Sequence, residues 1–291
     1  MEASRSSASV SIVVPTLNER DNVQPLVERT FQSVASLHRA VEMIFVDDGS
    51  RDGTLDEVGA LQDRYPIRAI LRESRPRCLS SSVLLGIQFS QGEHIVVMDA
   101  DLSHPPECIP SLLAALDGGA EFAMSSRNLP GASIDEHWGW FRWLNARVAG
   151  LLALPLTKVS DPCAGFFAFP RRILGRAHSL DPVGYKIGLE LLVKCAVRRI
   201  VEVPIRFAQR RAGHSKLSLR EQLRYLEHLR RLYGFRLRSA WQRSKRRRDP
   251  KESILLPAPS SRLPHRPLSP SAGRTAMEEA PRAAQRERLG T

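Results

Sequence analysis

Three apolar runs of strand length, each ending in a cluster of acidic and turn-forming residues, constrain the fold of this chain more than any other feature. Ser11-Ile12-Val13-Val14-Pro15 leads into Thr16-Leu17-Asn18-Glu19, and Val41-Glu42-Met43-Ile44-Phe45-Val46 into Asp47-Asp48-Gly49-Ser50. The third run, His94-Ile95-Val96-Val97-Met98, leads into Asp99-Ala100-Asp101-Leu102-Ser103-His104. Near-continuous apolar runs of this length read as buried parallel strands. Amphipathic stretches over 21–37 and 53–63 follow the first two, then a strand over 67–71, a helix over 80–89, the strand over 94–99, a helix over 106–116 and a strand over 121–125. Repeated βα units predict an α/β fold, a mostly parallel sheet with helices on both faces.

The 291 residues, 42% of them hydrophobic, suffice for one such domain with a single good-sized core. A helix over 185–197 and a last strand over 200–205 complete it. Residues 218–233 then place Leu219, Leu223, Leu226 and Leu229 at helical spacing with arginines between them, a basic amphipathic helix suited to packing on the domain or to lying on an anionic membrane. The domain is expected to span 9–235, after a flexible N-terminus over 1–8. A basic, Pro/Ser-rich tail over 236–291, without periodicity from about Asp249, is expected to be disordered.

The net charge of +12 is concentrated in the last third, from Arg210, Arg211 and Lys216 to the run Lys245-Arg246-Arg247-Arg248, which predicts an anionic partner. No nucleic-acid recognition fold accompanies that run, so attraction to anionic lipid is the better reading and no nucleic-acid partner is expected. Cys78, Cys108, Cys163 and Cys195 show neither close pairing nor CxxC spacing, which argues against a disulfide framework or a zinc site and fits a reducing, cytoplasmic setting. The first nine residues lack the apolar core of a signal peptide, and the longest apolar stretch, 148–156, is far short of the ~20 residues that span a bilayer. Membrane contact, if made, is then peripheral. Trp138, Trp140 and Trp143, in a segment over about 133–156, are candidate interfacial anchors, though such rings also pack under sheets.

Asp99 and Asp101 lie two residues apart at a strand end, so period-two geometry sends both carboxylates to one side, where they can share a Mg²⁺ or Mn²⁺ ion. The alternative is a turn in which Asp101 or Ser103 caps the next helix. In open α/β sheets ligands bind outside the carboxyl ends of the strands, which favours a site. Neither a Walker sequence nor a strand-to-helix GxGxxG turn is present, so a bound diphosphate would need the metal and isolated cations, with Arg127, Arg210, Arg211 and Lys216 the candidates.

Pro15-Thr16-Leu17-Asn18-Glu19, Val46-Asp47-Asp48-Gly49-Ser50, Asp52-Gly53-Thr54, Met98-Asp99-Ala100-Asp101-Leu102-Ser103-His104-Pro105, Ser126-Arg127 and Gly213-His214-Ser215-Lys216-Leu217 resemble, in order, the motifs of family 2 glycosyltransferases. More narrowly they resemble polyprenyl-phosphate (dolichyl-phosphate) mannose synthases, over roughly residues 9–235. The resemblance implies a GT-A nucleotide-diphospho-sugar transferase fold and metal-dependent, inverting transfer of mannose from GDP-mannose to a polyprenyl phosphate at the cytoplasmic face of a membrane. It implies that Pro15, Leu17, Glu19, Val46 and Asp48 surround the guanosine and that Asp99, Ala100 and Asp101 meet the metal and diphosphate. Arg127, Arg210 and Lys216 would meet phosphates of donor or acceptor, Asp101 and Arg127 carrying the catalytic role. Three positions depart from the family: Leu17 stands where a Tyr is usual, Cys78-Leu79-Ser80-Ser81-Ser82 where a glycine turn is usual, and Ser103 where a Gln often offers a third metal ligand. The missing glycine is expected to restrict the backbone near the donor.

A phosphate monoester, with a second pKa near ~6, is already largely a dianion at neutral pH and needs no base before it attacks a sugar. Accordingly no general base is assigned. Glu190 is either catalytic or a packing carboxylate, Asp161 either catalytic or the holder of a turn, and His104 and His214 read as loop residues. Transfer of glucose or another hexose, or an inactive nucleotide-sugar-binding subunit, are the alternatives. A membrane-anchoring partner subunit is the alternative to direct peripheral binding.

Overall fold

A computed structural model describes residues 9–73, 76–134, 140–177, 179–181, 183–208 and 219–248. Residues 1–244 form one compact unit; of the second, 245–291, only 245–248 are described. The elements run β1 (Val10–Thr16), α1 (Arg20–Val34), β2 (Val41–Asp47), α2 (Thr54–Leu61), β3 (Ile67–Leu71), α3 (Leu79–Phe89), β4 (His94–Val97), α4 (Ile109–Asp117) and β5 (Phe122–Ser126). Then follow β6 (Ser133–Ile134), α5 (Trp140–Ala153), β7 (Phe167–Pro170), α6 (Ile187–Lys194), β8 (Ile200–Pro204), β9 (Arg206–Phe207) and α7 (Leu219–Arg248).

Seven strands form one sheet in the order β3-β2-β1-β4-β7-β5-β8, and β6 pairs with β9 in a separate parallel ribbon. Only β7 runs against its neighbours β4 and β5. The strand order turns back between β1 and β4, and at such a point loops from both directions part to leave a crevice at the carboxyl edge. The endings of β1, β2 and β4 all reach that edge.

The pleat sorts each strand between two cores. Val10, Ile12 and Val14 of β1 join Met43, Phe45 and Val96 on one face with α1 and α4, while Val13 joins Ile44, Val46, Ile95 and Val97 on the other with α3 and α6. Helices cover both faces, which is why the strands carry apolar residues at nearly every position. Gly86 of α3 makes close approach possible: a Cβ there would stand 2.4 Å from Val13 Cγ1 and 2.9 Å from Val46 Cγ2. The mostly parallel expectation holds, with β7 the exception.

A third cluster joins Ala153 of α5 and Leu156 just after it, Leu189 of α6, and Tyr225, Leu229 and Leu232 of α7. The hydroxyl of Tyr225 donates to the Ala149 carbonyl at 2.7 Å and that of Tyr233 to Leu152 at 2.6 Å. Of the expected leucine stripe, Leu229 packs but Leu223 and Leu226 do not. Leu223 and Leu226 are exposed, and Tyr225, His228, Leu229 and Leu232 face inward. Nor does the helix stop near Tyr233: it continues through the first part of the expected tail to Arg248. Residues 236–248 hold Arg, Leu, Ala, Gln and Lys, all helix-tolerant, and the first proline is Pro250. Trp138, and the side chains of Trp140 and Trp143, lie outside the described residues.

The turn before α3 corrects the expectation of a restricted backbone. Cys78 sits at φ −155° and ψ 115°, an extended conformation open to any residue, so this turn has no need of glycine.

Candidate functional site

The β1 and β2 endings are knitted together by side chains that accept backbone protons. The Asp47 carboxylate accepts the amides of Gly49 at 2.9 Å and Ser50 at 2.7 Å, and Thr16 Oγ1 donates to it at 3.2 Å. Asn18, at φ 58°, donates its amide to Ser50 Oγ and accepts that of Arg51 on Oδ1. Asp52 accepts Thr54 N and Oγ1 and Arg20 N, and burial notwithstanding, these hydrogen bonds hold its pKa below the ordinary value. Glu19 donates its amide to Thr54 Oγ1 and accepts the Asn22 amide group at 2.7 Å. Most of the acidic residues of these endings thus build the loops.

Asp48 is held differently. Its carboxylate meets Arg72 at 2.7 Å and accepts the Cys78 amide at 3.0 Å, with both ionic side chains under a tenth exposed. Cys78, which departs from the expected glycine turn, thereby holds Asp48 through its backbone, and its thiol donates to the Gly184 carbonyl at 3.3 Å. Pro15, Leu17 and Glu19 are half-buried beside Asp48's strand. Val46 and Ala100 are buried, Val46 wholly so against α3, so only their backbones can face the crevice.

Beyond β4 the chain makes a tight, side-chain-fastened turn. Ser103 donates both its amide, at 3.0 Å, and its hydroxyl, at 2.6 Å, to Asp101 Oδ1. Leu102 between them is driven to φ 61°, a conformation that costs a branched residue energy and concentrates at functional loops. The Asp99 amide donates to His104 Nδ1 at 3.1 Å, so in the neutral ring the proton sits on Nε2. His104 lies in this loop, as expected, but is 3% exposed and stacks on Phe166, so it is a buried support of the turn. Neither Asp101 nor Ser103 caps a helix: the next helical turn starts after Pro105, without a side-chain cap.

Room in front of Asp99 is kept by Gly165. A Cβ there would stand 3.5 and 3.7 Å from the two Asp99 oxygens and 3.2 Å from His104 Cε1. Among the described residues no three His, Cys, Asp or Glu side chains gather closely enough to enclose a metal ion. A divalent ion here would therefore rest on the two carboxylates and be completed by oxygens from elsewhere, as in open sites that bind phosphate-bearing substrates.

Arg127, at the end of β5, forks Asp161: Nε donates to Oδ2 at 2.6 Å and Nη2 to Oδ1 at 2.8 Å. The Arg127 amide also donates to Oδ2 at 3.2 Å. Burial opposes charge on Asp161, but the hydrogen bond and charge of Arg127 outweigh it and hold the carboxyl below its ordinary pKa. Asp161 is thus the partner that fixes the guanidinium plane, a role its local sequence, which reads as a turn, did not reveal. The guanidinium also lies over the Phe207 ring, 5.2 Å from its centroid.

Glu190 resolves as a packing carboxylate. Fully buried, it accepts the Asp181 amide and Lys194 Nζ, each at 2.7 Å, and meets His228 Nε2 at 3.1 Å, which ties α6 to α7. Arg210, Arg211, His214 and Lys216 lie outside the described residues.

The glycosyl transferase family 2 model matches residues 11–176. A dolichol-phosphate mannosyltransferase of Mycosarcoma maydis is 42% identical over 239 residues, covering 79% of this chain and 81% of that one. One from Saccharomyces cerevisiae is 40% identical, covering 79% and 89%. Among solved structures, glucosyl-3-phosphoglycerate synthase from Mycobacterium tuberculosis, in complex with Mn²⁺, uridine diphosphate and glucosyl-3-phosphoglycerate, superposes with a TM-score of 0.55 at 21% identity, covering 80% and 81%. The doubly covered sheet, the carboxylates at its turning point and these likenesses lead to one conclusion: the chain belongs to glycosyl transferase family 2 and is a glycosyltransferase with the family's α/β GT-A fold, similar over most of its length to dolichol-phosphate mannosyltransferases.

Proposed function

We propose that this protein transfers mannose from GDP-mannose to a polyprenyl (dolichyl) phosphate with inversion, aided by Mg²⁺ or Mn²⁺. The turn bearing Asp99 and Asp101, which follows β4 where the strand order reverses, in a chain about two-fifths identical to dolichol-phosphate mannosyltransferases, supports this reading. Pro15, Leu17, Glu19, Asp48 and the backbone of Val46 would hold the guanosine, and Asp99, Asp101 and the backbone of Ala100 would meet the metal and diphosphate. When bound, the ion supplies positive charge that stabilises the departing diphosphate. Arg127, Arg210 and Lys216 would orient the phosphates, with the Arg127 guanidinium held in its orientation by Asp161. The acceptor phosphate attacks as an anion, so the chemistry does not need Glu190, fully buried against Lys194 and His228, as a base. The test is recovery of labelled mannose in lipid extract after incubation with GDP-mannose, metal and polyprenyl phosphate.

The lipid acceptor requires the enzyme to meet a membrane, at its cytoplasmic face in this proposal, yet among the described residues no helix is long and apolar enough to cross one. Exposed Leu151, Leu152 and Leu154 in and just after α5, with Leu223, Leu226, Leu237 and Trp241 on α7, offer apolar anchors beside the arginines of α7. Each Lys or Arg near an anionic surface adds about 1 kcal/mol. The chain should therefore sediment with anionic phospholipid vesicles at low salt, and less so at high salt or after Leu223, Leu226 and Trp241 are changed to Ser. If it stays in the supernatant at low salt, direct docking is wrong and a membrane-anchoring partner subunit takes its place.

A further inference from the structure

Among the described residues, the ring of Phe207 meets groups from both halves of the site described above. On one side it meets His104 in a T-shaped arrangement, with ring centroids 5.7 Å apart and planes inclined by 67°. His104 in turn accepts the Asp99 amide and stacks on Phe166, 5.4 Å between centroids. On another side Phe207 carries the Arg127 guanidinium on its face, 5.2 Å from the centroid. Backbone bonds fasten the strand bearing it: Ala208 N donates to Ser103 O at 3.2 Å, and Ser133 N to Ile205 O at 3.2 Å. The carboxylate turn after β4 and the Arg127–Asp161 fork after β5 come from strands separated in the sheet by β7. Phe207 spans them.

From this juxtaposition we infer that Phe207 is a positioning residue, whose ring holds the Arg127 guanidinium at a set distance from the Asp99–Asp101 turn. The physical basis is the negative face of the ring, which attracts the cation most strongly where water is excluded. Arg127 has a side chain 14% exposed, so the ring face acts on a largely desolvated charge. Asp161 fixes the plane of the guanidinium, and Phe207 fixes where that plane stands relative to His104 and hence to Asp99. For the reaction this matters because charge on the departing diphosphate and charge on the attacking phosphate must be met at the same time. The inference rests on the proposed transfer to a phosphate acceptor for its kinetic consequence, but not for the geometry.

The test replaces Phe207 with mono-, di- and trifluorophenylalanine, a series that weakens the ring's negative face in steps while nearly preserving its shape. Two quantities are followed: transfer to polyprenyl phosphate, and exchange of the Arg127 Hε proton with water by NMR. A positioning ring predicts a graded rise in KM for the polyprenyl phosphate and a graded fall in kcat, reaching about three- to tenfold at the trifluoro member, with the KM for GDP-mannose unchanged. Arg127 Hε exchange should accelerate in the same order. A residue that merely fills space would leave both series flat, and a flat series in either measurement overturns the inference. If the unaltered protein moves no mannose to polyprenyl phosphate, the proposed reaction fails, and the positioning role is then decided by the Arg127 exchange series alone.

Discussion

Asp101→Asn should lower transfer by about 10²- to 10³-fold, the scale on which enzymes lose rate when one group that stabilises developing charge is removed. The substitution exchanges a charged oxygen ligand for a neutral amide, a poor partner for a hard cation. Folding should survive it. Ser103 donates its amide and hydroxyl to a single oxygen, Asp101 Oδ1, and the amide oxygen of Asn can accept both. Initial rates at saturating Mn²⁺ or Mg²⁺, with thermal melts alongside, separate the two effects. A variant that turns over like the unaltered protein would remove Asp101 from the metal site.

The largest effect on stability should come from Asp161→Ala. It leaves the Arg127 cation buried without its fork, and breaking a buried pair in this way costs about 3–5 kcal/mol. A fall in Tm on the order of 10 °C follows for a domain of this size. The sign of the pH dependence is set by Asp161, whose carboxyl is held below its ordinary pKa because Arg127 outweighs the burial that opposes its charge. A carboxylate with a lowered folded-state pKa contributes its stabilisation in full above the unfolded value, about 3.9, and loses it as pH falls through the lower folded value. The gap in stability between the unaltered protein and Asp161→Ala should be widest near neutral pH and narrow in acid. Joint replacement of Arg127 by Met and Asp161 by Leu should recover much of the stability, since apolar residues can stand in for a buried pair. It should not recover transfer. Recovered transfer would mean that the Arg127 charge serves the fold alone.

Much of the sheet was legible because its signals are local. The endings of β1, β2 and β4 announce themselves as apolar runs that stop at acidic turns, though β4 ends at Val97, two residues short of the expected strand, so Asp99 and Asp101 sit in the turn beyond it. What escaped the sequence is what depends on distant neighbours. The reversed strand β7 is four residues long and buried at every position, so it has neither alternation nor a turn signal to mark it. Arg127 and Asp161 are 34 residues apart, and the sequence around each shows a free cation and a turn-holding acid where the fold makes one ion pair. The leucines of α7 mark a helix correctly but not which face packs. That choice is made by α5 and α6, through Ala149, Leu152 and Glu190. His104 belongs to the same class, since its burial depends on Phe166 and Phe207, far along the chain.

The most direct test of the proposed reaction is a comparison of acceptors and donors with the unaltered protein. GDP-mannose, labelled in the sugar, is offered with polyprenyl phosphate and, separately, with the parent polyprenol, each with and without a chelator; labelled UDP-glucose is run beside it. The expected result is label in the lipid extract from GDP-mannose with the phosphate acceptor alone, abolished by the chelator, together with one GDP released per mannose transferred. Label on the polyprenol, label from UDP-glucose in place of GDP-mannose, or nucleotide bound without any GDP released would contradict it.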